Sequence, residues 1–341
     1  MAEKTKAAPI KSGEYVQAAR IIEEADEQYE NQGRSDLYST GLSDLDEYLS
    51  GGFGRRNNYE IIMIASAPKS FKTTLALQLL APQIENKTPM YWMLAEMSYG
   101  ETLNGLRALY YPDKSRIDNA FCEAIESRSL LIADKQTMSS FRSYEDILAE
   151  IKVAYANGAR LFYIDPINYL IKGSVSGFEK TYDAEFKFLN ALQSFVSETK
   201  TTALLVLHNV KNPNMHRQEG LSGSASYAQM ATKNIETRVE GRYTVSTSPF
   251  APPVMGKIVS VELWQARGQE SWAYQPMLLK AVPNDGGKGI KLAQLSTDDY
   301  KNVTVTGLSS SAPDHKDRSL WHIQETMFNG AGRDGSKGFY G

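Results

Sequence analysis

One cysteine, Cys122, occurs in 341 residues. A lone thiol excludes an internal disulfide and any zinc module built on several cysteines, and it suits a reducing compartment. No apolar run approaches the about 18 residues that a membrane-spanning helix needs, and no secretory signal opens the chain. Excess charge of either sign is missing too: 37 Lys and Arg face 40 Asp and Glu, a formal net charge of -3. Without a global basic field, contact with nucleic acid has to come from local loops.

The most telling absence is local. SAPKSFKTT, residues 66–74, fits the phosphate-loop frame G-x-x-x-x-G-K-[ST], but Ser66 and Phe71 stand where the glycines belong. In that frame the backbone of Ser66, Ala67, Pro68, Lys69, Ser70 and Phe71 cradles phosphates. Lys72 neutralises them, and the hydroxyl of Thr73, with Thr74 beside it, holds Mg²⁺. With Cβ atoms at 66 and 71, neither backbone adopts glycine-only dihedrals cheaply, so ordinary φ/ψ values are expected at both positions.

The flanks support this frame. YEIIMIA (59–65) reads as a buried strand, and TTLALQLL carries apolar residues at helical spacing. Strand, tight loop and helix is the context a phosphate loop requires, because the helix N-terminus faces the anion. The bland alternative is a strand-to-helix turn that happens to contain Lys and Thr.

From 41 to 300, strand-like runs alternate with helical patterns. This predicts an α/β fold with a mainly parallel twisted sheet flanked by helices. Further strands are expected at MYWMLAE (90–96), LLIAD (130–134), LFYID (161–165) and ALLVLH (203–208). Glu96, Asp165 and His208 then stand at the carboxyl ends of strands, the edge where open α/β sheets bind ligands.

Asp165 matches a strand-end carboxylate that takes Mg²⁺ directly or through water; otherwise it is an ordinary turn cap. Glu96, expected on a strand beside the phosphate-loop strand, is a candidate general base for a water in line with the γ-phosphate. His208 either senses the γ-phosphate or is simply a satisfied polar residue.

Three segments are expected. Residues 1–40 contain an amphipathic helix (13–30) whose stripe includes Tyr15, Ala18, Ile22 and Tyr29, followed by a linker. Residues 41–300 form the ATPase domain. Residues 301–341, rich in Ser and Gly, read as a flexible tail.

Taken in order, GLSDLDEYLSGGF (41–53), the phosphate loop, LAEMS (94–98), FYID and LHNVKNP (207–213) resemble the hexameric RecA-like replicative DNA helicases. That group contains DnaB-type proteins and phage primase-helicases. The resemblance implies ATP or another NTP as substrate, Mg²⁺, single-stranded DNA and a homo-oligomer, a hexamer in that group. It makes Glu96 the catalytic carboxylate.

GLSGSASYAQMATKNI (220–235) is similar to the loop and helix facing DNA in these helicases, which points to Gly223 and Ser224, with Lys211 and Arg217 as nearby cations. ELWQARGQ (262–269) resembles the strand bearing the arginine finger, which makes Arg267 the residue reaching a neighbour's γ-phosphate. A primase, polymerase or loader would dock through the N-terminal helix or the C-terminal tail. The setting would be cytoplasmic, the host cytoplasm if the protein is viral.

The loop itself departs from the helicase pattern. P-K-S-F-K followed by Ser or Thr is similar to the loop of a phage RecA-class recombinase. Alternatives therefore stand beside the helicase reading: a recombinase, a plasmid RepA-type helicase, or a RecA-fold structural or regulatory protein that has lost ATP turnover.

Overall fold

Strands buried on both faces need unbroken apolar runs, and the five expected runs each become one. They are β3 (Glu60–Ser66), β4 (Met90–Leu94), β5 (Leu130–Ala133), β6 (Leu161–Asp165) and β7 (Thr202–His208). The computed structural model describes residues 37–49, 51–56, 58–133, 135–174, 181–208, 230–245, 254–266, 277–283, 289–295 and 303–304. The expected helix at 13–30, nearly all of the expected tail and most of the linker lie outside the described residues.

A small antiparallel pair, β1 (Leu37–Tyr38) with β2 (Gly54–Arg55), precedes the main sheet. Between them lies α1 (Ser43–Tyr48), which contains the D-L-D segment. Asp46 accepts hydrogen bonds from Ser39 Oγ and Thr40 N–H, each at 2.6 Å, and Leu45 is fully buried. The segment is thus a fastener for the chain entering the core.

The main sheet runs β11-β10-β9-β8-β3-β7-β6-β4-β5, with β12 (Val303–Thr304) against β8. Its β8-β3-β7-β6-β4-β5 part is parallel, as expected. Past β8 (Lys233–Val245) it continues antiparallel through β9 (Val254–Ala266), β10 (Met277–Pro283) and β11 (Ile290–Gln294).

The parallel order corrects one expectation. Glu96 does not follow a strand beside the phosphate-loop strand, because β7 and β6 lie between β3 and β4. Sequence proximity of two strands does not make them sheet neighbours where crossover connections intervene.

Successive strand residues point to opposite faces, so each strand feeds two cores. Ile62, Ile64, Trp92, Tyr163, Leu204 and Val206 pack beneath α2 (Lys72–Glu85), whose Leu75, Leu79 and Leu80 are fully buried. Ile61, Met63, Phe162, Ile164 and Leu205 pack on the other face, with Phe188 and Leu192 of α8 (Thr181–Thr199). The remaining helices are α3 (Tyr99–Leu109), α4 (Lys114–Glu126), α5 (Lys135–Ser139), α6 (Tyr144–Ala156) and α7 (Ile167–Ser174).

Candidate functional site

The site starts where β3 ends. Ser66 is the last residue of that strand and is fully buried. Its pairing with β8 stops at Ile64 opposite Ile235, and beyond that point the Ser66 side chain takes over. Ser66 Oγ accepts from Thr237 N–H at 2.8 Å and lies 2.8 Å from Thr237 Oγ1. Thr237 Oγ1 also lies 3.4 Å from Ser70 Oγ, which donates to the Ala67 carbonyl at 2.6 Å. A glycine at 66 has no group to make this tie. Ser66 keeps ordinary strand geometry, as expected.

Phe71 does not. It adopts φ 68° and ψ 22°, the left-handed region, which corrects the expectation of ordinary dihedrals there. Lys69 is also left-handed, at φ 64°. The loop keeps the backbone path that a glycine would take and holds a bulky residue on it. Packing explains how: the half-buried phenyl ring rests on the core beneath α2, and Lys257 Nζ of β9 stands 5.5 Å from its centroid.

Phe71 caps α2 with backbone only. No side chain bonds the first N–H groups of that helix, and its first turn holds no acidic residue. Such a terminus, preceded by left-handed residues that turn N–H groups inward, suits an anion. The chain therefore fits a phosphate group on its own geometry.

Lys72 folds back into the loop. Its Nζ donates to the carbonyls of Ser66 at 3.0 Å and Ala67 at 2.9 Å. Burial pushes its pKa down, while the charges of Asp165 and Glu96 push it up. Both carboxylates thus act on the same ammonium across the carboxyl edge of the sheet. Thr73 and Thr74 sit half-buried in the first turn of α2, whereas Ala67, Pro68 and Lys69 are exposed.

Asp165 closes β6 and is 4% exposed. Tyr163, two residues earlier on the same face, donates its O–H to Asp165 Oδ2 at 2.6 Å. Glu96 is exposed in the turn after β4. Ser98 fixes that turn, because Ser98 and Glu101 form a capping box at the start of α3, with Ser98 N–H donating to Glu101 Oε2 at 2.7 Å. His208 ends β7 directly beside Ser66 in the sheet register.

Lys72, Thr73, Asp165 and Glu96 are thus brought to one edge. Lys211, Arg217, Gly223, Ser224 and Arg267 lie outside the described residues, as does the His208 side chain. Sequence reasoning missed three participants. The S-x-x-E spacing at Ser98 was readable as a cap. A hydroxyl two residues before Asp165 on one strand face was readable as a partner. Thr237 carries no local signal, since it lies 171 residues from Ser66.

Among the described residues no group of three or more His, Cys, Asp or Glu side chains is placed to hold a metal by itself. A divalent cation here would take its remaining ligands from phosphate oxygens and water. No described helix is long and apolar enough to cross a membrane.

The fold and this edge define a RecA-like P-loop ATPase domain. No family model matches the chain, and no curated protein matches its sequence. Solved structures do match. The ATPase domain of a DnaB-like replicative helicase aligns with TM-score 0.54 and 14% identity, over 83% of this chain and 98% of its own. A KaiC-like protein from the hyperthermophilic archaeon Pyrococcus horikoshii OT3 aligns with TM-score 0.51 and 16% identity, over 74% and 97%. A DnaB-like replicative helicase, solved with attention to its interactions with primase, aligns with TM-score 0.54 and 15% identity, over 76% and 63%. At these identities the likeness is one of fold.

Proposed function

We propose that this chain is an ATP-hydrolysing, ring-forming motor on single-stranded DNA, of the phage-type replicative helicase kind. The observation that carries the proposal is the convergence of Asp165 and Glu96 on the Lys72 ammonium, beside a helix N-terminus left open by side chains.

In this reading the backbone of residues 66–71 and Lys72 hold the phosphates. Thr73 and Asp165 hold Mg²⁺, which when bound offsets the charge of the β- and γ-phosphate oxygens. Glu96, exposed and held by the capped turn, orients a water and takes its proton. His208, at the end of the strand beside Ser66, reports the state of the γ-phosphate to the segment after it. Arg267 completes a neighbour's site, and Lys211, Arg217, Gly223 and Ser224 meet DNA phosphates. A primase, polymerase or loader binds outside this core.

The experiment is electron microscopy of the full chain with an ATP analogue and single-stranded DNA, paired with an ATPase assay. Closed rings and DNA-stimulated hydrolysis are expected. Open filaments on DNA would replace the helicase with a recombinase, and a chain without turnover would leave only a binding or structural role.

A further inference from the structure

A phenol with no exposure at all needs a reason, because an aliphatic residue would fill the same core without a polar atom to satisfy. Tyr163 is such a phenol: it is fully buried in β6, with its ring edge-on to Trp92 at 5.7 Å and 78°. Its only printed polar contact is the 2.6 Å donation to Asp165 Oδ2. Burial raises its pKa well above the ordinary phenol value, so the hydroxyl keeps its proton and acts as a donor.

A short hydrogen bond to a carboxylate stabilises the ionised form and fixes its rotation. Strand geometry makes this bond rigid. Residues two apart share a face, and both side chains are locked between β6 and the core beneath α2. The carboxylate at the end of β6 is held in one orientation by a partner that the same strand supplies.

We infer that Tyr163 is a positioning residue for the Mg²⁺-bearing carboxylate, setting how readily Asp165 takes the cation with the nucleotide. The inference rests on the reading that Asp165 holds Mg²⁺. Partners of metal-ligating carboxylates change metal affinity by about 10- to 100-fold when removed.

The test titrates the full chain with a fluorescent, non-hydrolysable ATP analogue, in EDTA and across a range of Mg²⁺ concentrations. Tyr163→Phe keeps the ring and its contact with Trp92. It should leave affinity in EDTA unchanged while raising the Mg²⁺ needed for half-maximal tightening about 10- to 100-fold. In an Asp165→Asn background the same substitution should shift nothing. An unchanged Mg²⁺ midpoint, with only a lower melting temperature, would make the phenol purely structural and overturn the inference. If the wild-type chain gains no affinity from Mg²⁺, or Asp165→Asn keeps the gain, the underlying reading of Asp165 fails and takes this inference with it.

Discussion

Ser66 and Thr237 are joined twice: the threonine N–H donates to Ser66 Oγ, and the two hydroxyl oxygens lie 2.8 Å apart. The residue that looks like a defect in the phosphate loop is its anchor to β8. Restoring the consensus should therefore harm the protein. Ser66→Gly leaves the buried Thr237 N–H without its acceptor and loosens the chain, so it should lower unfolding free energy by about 1–3 kcal/mol. Urea unfolding measures this, and a neutral or stabilising glycine would refute the anchor.

At Phe71 two effects oppose each other. Left-handed geometry costs a bulky L-residue about 1–2 kcal/mol. Against this, the half-buried ring returns about 1 kcal/mol from burial and Lys257 about 0.5–1 kcal/mol from its cation–π contact. Phe71→Gly should accordingly stay within about 1 kcal/mol of wild type. Phe71→Ala loses the contacts and keeps the strain, so it should be less stable than Phe71→Gly by about 1 kcal/mol. The reverse ranking in thermal unfolding would contradict the left-handed assignment.

Lys72 makes stability depend on alkaline pH. Its folded pKa lies below its unfolded value because burial disfavours the ammonium. In the window just below the ordinary lysine pKa, the unfolded chain holds a proton that the folded chain has lost. Unfolding free energy should then rise with pH across that window, without nucleotide. The comparison is between wild type and Lys72→Met from pH 8 to pH 10; parallel curves would show that burial does not perturb this amine.

Glu96→Gln separates binding from turnover. Removing a general base typically costs about 10²- to 10⁴-fold in rate. Hydrolysis should fall by that factor while affinity for an ATP analogue persists. A loss below tenfold in a steady-state ATPase assay would move the base to another residue.

The parallel half of the fold was readable because strands buried on both faces must be uninterrupted apolar runs. Ile61–Ile64 and Phe162–Ile164 leave no other reading. The position of Glu96 was readable as a strand end but not its distance from β3, since strand order depends on crossovers that no local pattern encodes. Phe71 misled for a related reason: local sterics argued against a left-handed phenylalanine, and tertiary packing with Lys257 overrode them. Tyr163 was passed over because, as a sequence letter, it looked like one more apolar core residue.

The tie from Ser66 to Thr237 also sets an order of events during synthesis. A nascent chain that ends before residue 237 can already pair β3 with β7 and carries every residue from Ser66 to His208, yet its phosphate loop lacks the anchor. Tight phosphate capture must therefore wait until β8 has emerged and docked. A series of C-terminally shortened chains should acquire analogue binding abruptly once β8 is included, which makes the ligand a reporter of when the second half of the sheet closes onto the first.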